Sequence, residues 1–129
     1  MKKVAWPTVV CTLLALSGCA SDVVRSPVEL SALSGPQKKY VASQPASIRL
    51  DSGYERNIAA GTEFIEIGRI PQGSILKPTN TTFTIEGAHM HEAYPVFNNQ
   101  RIVGFYLPVE RAFSPLSQTT SLFIDERKP

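Results

Sequence analysis

Cysteine, histidine, methionine and tryptophan are nearly missing from these 129 residues, with two each of the first three and a single tryptophan. Both cysteines, Cys11 and Cys19, fall near the start, so the rest of the chain has no disulfide framework, no thiol nucleophile and no cysteine-ligated zinc site. Charge of one sign is also lacking: 13 basic residues stand against 11 acidic ones. Electrostatic nucleic-acid binding needs clustered Lys and Arg to displace counterions, and no such cluster is present. No G-x-S-x-G elbow and no phosphate-loop pattern occurs, and the aspartates are confined to Asp22, Asp51 and Asp125. Glu63 and Glu66, three apart on an expected strand, face opposite sides and are read as surface residues rather than a hydrolytic pair. The expectation is a protein without enzymatic activity and without a cofactor.

What is present begins at the N-terminus. Met1-Lys2-Lys3 precedes an apolar stretch from Val4 to Leu16, followed by Ser17-Gly18-Cys19. Charged, apolar and small residues in that order make a secretory signal. The apolar stretch has about 13 residues, whereas a helix crossing a bilayer core needs about 20, which argues against a permanent membrane span.

Leu16-Ser17-Gly18-Cys19 resembles the lipobox of bacterial lipoproteins at each of its four positions. The resemblance covers only the first nineteen or so residues. It implies cleavage before Cys19, a diacylglyceryl group on the Cys19 thiol and often an acyl chain, such as palmitate, on the new amino group. Two or three chains on one residue suffice for stable anchoring where one is marginal. In Gram-negative lipoproteins an Asp directly after the modified cysteine tends to retain the protein at the inner membrane. Ala20 and Ser21 follow here, which implies the periplasmic face of the outer membrane. Such processing removes Lys2, Lys3, Cys11 and Trp6 and leaves a formally neutral chain, so the basic balance belongs to the precursor.

The boundaries expected from composition are a signal peptide over 1–18, a lipidated tether over 19–45 and a small β domain over 46–129. The tether is rich in Ser, Ala, Pro and Gly. As a flexible coil of its length it would span roughly 25 to 30 Å. Within it, Ser26-Pro27-Val28-Glu29 has the form of a capping box, predicting a short helix that Gly35-Pro36 ends.

From Ser47 onward, short β-branched and aromatic runs separated by turn residues predict strands over 47–50, 62–67, 74–77, 81–86, 92–97, 100–107 and 121–124. Six or seven short strands of this kind predict a mainly β domain, a small antiparallel barrel or sandwich. Phe83 and Ile85 alternate with Thr82, Thr84 and Glu86, so both aromatic and aliphatic members are expected in the core. Asn98-Asn99 predicts a tight hairpin turn pairing Val96 with Arg101 and Tyr94 with Val103.

Two segments are candidate sites. In Glu86-Gly87-Ala88-His89-Met90-His91-Glu92, His89 and His91 on a strand would project from one face and could ligate zinc or copper, with Met90, Glu86 or Glu92 completing the set. The plainer alternative is a run of polar residues on a solvated turn or strand end. The stretch from Gly104 to Leu116 concentrates aromatics and prolines. Phe105, Tyr106 and Phe113 would either present an apolar strip to a protein partner or pack in the core beside a proline-braced crossover. The functional expectation is an envelope lipoprotein, anchored to the bilayer through Cys19, that binds another protein in a secretion, conjugation or surface assembly. A periplasmic copper or zinc protein is the alternative.

Overall fold

The computed structural model describes residues 22–128, and the signal sequence and Cys19 lie outside the described residues. Those residues form twelve strands and, among them, no helix. In chain order they are β1 (Ser26–Pro27), β2 (Lys39–Ala42), β3 (Ala46–Arg49), β4 (Glu55–Ile58), β5 (Glu63–Ile70) and β6 (Gly73–Pro78), followed by β7 (Thr84–Glu86), β8 (Met90–Glu92), β9 (Tyr94–Asn98), β10 (Arg101–Leu107), β11 (Ala112–Ser121) and β12 (Ile124–Arg127). Eight of them make one antiparallel sheet in the order β1-β11-β10-β9-β6-β5-β2-β12, while β3-β4 and β7-β8 are separate two-stranded ribbons. The mainly β, antiparallel class expected from the spacing of turn residues is the class observed.

Alternation explains how the layers meet. In β3, Ala46 and Ile48 are buried while Ser47 and Arg49 are exposed, so the ribbon turns one face inward. Its buried residues join Phe64, Leu76, Ile85, Ile102, Phe105, Leu107 and Leu122 in the main core between the large sheet and the ribbons. Phe83 and Ile85 are both in this core, as their alternation predicts, and the Phe83 ring stacks on Phe105 with centroids 5.5 Å apart. A second cluster, built on Ile75, Tyr94, Val96, Tyr106 and Phe113, lies on the other face of the sheet. Alternation lets single strands feed both clusters. Register shifts between Glu66 and Gly68 in β5 and between Ile102 and Gly104 in β10 exchange the faces, so that Phe64 and Ile70, or Ile102 and Tyr106, fall in opposite clusters. A bulge changes the side-chain parity of everything beyond it.

Several expectations are corrected. The turn of the β9-β10 hairpin is centred on Asn99 and Gln100, both at positive φ, one residue later than Asn98-Asn99. Arg101 therefore pairs with Asn98, and the bulge carries Tyr94 to Tyr106 instead of Val103. Pro95 lies fully buried inside the sheet, and the β6 ladder stops at Val96, just before the nitrogen that has no hydrogen to give. Glu66 is not a surface residue: it is 5% exposed and faces Arg69. The strand expected over 121–124 is interrupted: Ser121 ends β11 and Ile124 opens β12, and between them buried Leu122 donates its amide to Gln100 O.

The largest difference is upstream of Ala46. Instead of a loose tether, residues 22–45 are part of the fold. β2 pairs with β5 and β12 inside the large sheet. Ser26 and Pro27, where the capping box predicts a helix, are extended and pair with Phe113 and Ala112. A helix of about two turns is marginal by itself. The extended chain instead bonds the free edge of β11, buries Val28 on the second cluster and exchanges two hydrogen bonds between Ser31 and Arg69, at 2.8 and 2.9 Å. It meets β5 in an antiparallel bridge between Ser31 and Arg69, where Gly68 leaves room: a Cβ there would meet Ser31 O at 2.6 Å. Residues 22–31 thus form a strap that pairs with the edge of β11 and reaches β5 at Ser31.

Candidate functional site

The β7-β8 ribbon sets the inward and outward positions of the histidine segment. Its register pairs Ile85 with His91 and Glu86 with Met90. Ile85 enters the main core and His91, 6% exposed, points the same way. Met90 faces solvent, and His89 lies in the turn before β8, exposed, with its carbonyl accepting the Gly87 amide. Gly87 is there for space: a Cβ would stand 2.8 Å from the Val23 nitrogen of the strap.

Beneath the strap, His91 is held at both ring nitrogens. Nε2 meets Asp22 Oδ1 at 2.8 Å and Nδ1 meets Glu110 Oε1 at 2.7 Å. Asp22 comes from the start of the strap, and Glu110 from the turn between β10 and β11. Asp22 also accepts from Arg25 at 2.7 Å and from its own neighbour, the Val23 amide, at 2.9 Å. Two carboxylates at opposite ends of one imidazole are both satisfied only when both nitrogens carry hydrogen, which is the imidazolium form. Burial opposes that charge, but the Asp22 and Glu110 carboxylates outweigh it and raise the His91 pKa above its ordinary value. The Arg25 guanidinium and then His91 hold the Asp22 carboxyl well below the usual carboxylate range. For Glu110, burial pushes upward and the His91 contact more than offsets it, so its pKa is lowered.

This arrangement disperses the expected metal set. His91 has no free lone pair, His89 is on the turn, Glu86 is ion-paired with Arg56, and Glu92 accepts the Tyr94 hydroxyl at 3.0 Å. Among the described residues no group of three or more His, Cys, Asp or Glu side chains is placed to hold a metal ion. The physical reason is strand alternation plus the turn: His91 is turned into the fold, and His89 stays outside it. The aromatic strip is corrected as well. Phe105, Tyr106 and Phe113 are 1%, 6% and 7% exposed. Residues 104–116 form an antiparallel hairpin of β10 and β11 rather than a crossover, and its aromatics fill both clusters.

A second feature has no counterpart in the sequence reading. A cleft of about 460 Å³ runs along the whole of β4. Its far wall is the segment from Asn80 to Thr84, and Phe64 and Phe83 lie in its lining. β4 pairs with β3 on one side only, so its other edge is open to this space. Arg56 reaches across to Thr84 Oγ1 at 3.2 Å and to Glu86. Asn80 fixes one end of the cleft, accepting the Glu63 amide at 2.9 Å and donating to Gly61 O at 3.1 Å. The sequence signal for this feature is weak, because Glu55-Arg56-Asn57-Ile58 has one apolar residue and no visible period.

Comparison of the chain with protein families, with curated proteins and with solved structures found no match.

Proposed function

We propose that this protein is an exported lipoprotein whose small β domain is held at the periplasmic face of the outer membrane through acylated Cys19. There it acts as a non-enzymatic, protein-binding component of an envelope assembly such as a secretion, conjugation or surface system. The observation that carries this reading is the position of the lipobox cysteine relative to the strap. Cys19 precedes Asp22 by three residues, and Asp22 is already bonded into the fold. Three extended residues reach at most about 10 Å. A lipid on Cys19 would hold the domain close against the bilayer, in place of the 25 to 30 Å excursion of a flexible tether.

Protein binding is favoured by the open edge of β4, since an unpaired strand edge is a template for another chain. The commitment of both His91 nitrogens to carboxylates weighs against its use as a base or a metal ligand. The test is intact mass and membrane fractionation of the protein expressed in a Gram-negative host, wild type beside Cys19→Ser. Wild type is expected in the outer-membrane fraction with the mass of a diacylglyceryl-modified chain beginning at Cys19, and Cys19→Ser is expected to lose both. An unmodified thiol in the processed wild type would overturn the reading.

A further inference from the structure

We propose that the cleft beside β4 is a slot for one extended polypeptide strand, about four residues long, which adds to the free edge of β4 and carries a basic side chain opposite Glu55. The inference names the partner class for the binding role proposed above. It does not need the lipid, because it rests on residues 46–86 alone.

The hydrogen-bond phase of the ribbon shows which groups are free. The Leu50 amide donates to Tyr54 O at 2.8 Å, marking Leu50 and Tyr54 as a hydrogen-bonded antiparallel pair. Bonded and non-bonded pairs alternate along such a ribbon. The register pairs Arg49 with Glu55, Ile48 with Arg56, Ser47 with Asn57 and Ala46 with Ile58. Arg56 and Ile58 therefore exchange bonds with β3, and the N–H and C=O groups of Glu55 and Asn57 turn to the cleft. Two residues thus present four backbone donors and acceptors at the spacing an added strand uses.

Charge and rigidity narrow the occupant. Of the charged residues lining the cleft, Arg56 is matched by Glu86, while Glu55 lies opposite Arg49 in the ribbon but makes no ion pair among the described residues. With the Arg56 charge taken up by Glu86 and Arg49 outside the lining, the Glu55 carboxylate at the rim favours a neutral to basic segment over an anion. The strand's length follows from β4, whose four residues at about 3.3 Å each make an edge of roughly 13 Å. The Asn80 bonds keep the end of the cleft formed without an occupant, which lowers the ordering cost of binding.

The experiment uses the purified full chain in detergent micelles and a displayed library of random twelve-residue peptides. Selected peptides are then measured by fluorescence anisotropy against wild type, Asn57→Pro, Asn57→Ala and Glu55→Gln. Asn57→Pro removes a slot-facing N–H while leaving the β3 ladder intact, and Asn57→Ala removes only the side chain. Enriched peptides carrying Lys or Arg are expected. Their affinity should fall about tenfold in Asn57→Pro, the size of one hydrogen bond, and stay within about twofold in Asn57→Ala. Glu55→Gln should weaken binding and flatten its salt dependence. Amide hydrogen exchange on wild type, which stands even if Asn57→Pro fails to fold, should show peptide-dependent protection at Glu55 and Asn57. The proposal is overturned by a library that yields no binder, by protection elsewhere, by equal affinity in a folded Asn57→Pro, or by self-association through β4 in sedimentation. Lipidation is read separately by mass, so failure of the anchor and failure of the slot are distinguishable.

Discussion

The His91 imidazole and the Asp22 carboxylate, 69 positions apart, meet at 2.8 Å and fasten the beginning of the described chain to the middle of the domain. The contact determines how the N-terminal segment behaves. Without it, residues 22–24 have the Gly87 approach and the partial burial of Val23 to hold them. With it, the strap starts from a charged, partly enclosed bond that depends on protonation.

The strap should therefore loosen as pH rises. His91 has a raised pKa in the fold, so its contribution is fully present below the ordinary value near 6.5 and is lost as pH climbs through the folded value. Asp22 and Glu110 are shifted the other way, so their contributions are present above about pH 4 and are lost toward strong acid. The groups facing His91 are Asp22, Arg25 behind it, and Glu110. Thermal stability is expected to be highest between pH 5 and 6, roughly the interval separating these titrations, with a Tm that declines above it. His91→Gln should be less stable by about 2 to 3 kcal/mol at pH 5.5, since hydrogen bonds to charged groups are lost. It should also show little further decline between pH 6 and 9. A wild-type Tm that is flat over that range would contradict the imidazolium assignment.

Gly87→Ala tests the strap without changing any charge. The added methyl would sit 2.8 Å from Val23 N and 3.1 Å from Asp22 Oδ1, with backbone on one side and a committed carboxylate on the other. Overpacking of this kind costs about 1 to 3 kcal/mol. Hydrogen exchange should accelerate at the Val23 amide and at Val28 and Ser31, whose amides donate to Arg111 and Arg69. Exchange unchanged along the strap would mean that the β7-β8 turn does not hold it.

These two sites also show what is legible in a single sequence. Phe83 and Ile85 announce themselves because a half-buried strand repeats every two residues, and both are in the core. His91 stands out as one of two histidines, but its role is written in Asp22 and Glu110, which no local spacing connects to it. The strap reads as a tether because its stability comes from β5 and β11, far along the chain, and its own composition favours turns. β4 is silent because half of its backbone bonds and nearly all of its side chains face a cleft or solvent. The parity change in β10 is invisible because bulges are marked by pairing, not by residue type.

The hairpin turn offers a gain instead of a loss. Gln100 adopts φ of 62°, a left-handed conformation costly for a residue with a long side chain. Its carbonyl, not its side chain, serves the fold by accepting the Leu122 amide at 3.0 Å. Gln100→Gly makes the turn Asn-Gly, the preferred pair for two successive positive-φ positions. Stability should rise by about 0.5 to 1 kcal/mol, read as a higher urea midpoint with an unchanged slope. A lower midpoint would show that the Gln100 side chain contributes something beyond the turn.

Phe105 decides between the two readings of the aromatic segment. It is 1% exposed, stacked on Phe83, and sits where the sheet meets the β7-β8 ribbon. Truncation should leave a cavity that rigid strands on both sides cannot close, so Phe105→Ala is expected to cost about 3 to 5 kcal/mol. Val109, 77% exposed on the neighbouring turn, provides the contrast, and Val109→Ser should stay within about 0.5 kcal/mol of wild type. If the segment were a docking strip, the order would reverse: partner capture would fail in Phe105→Ala while its melting curve stayed near wild type. Because Phe105 also packs the ribbon that carries His91, its loss should further raise the exchange rate at the strap. That effect should persist at pH 5.5, where His91 is charged, and so separates a packing defect from a protonation defect.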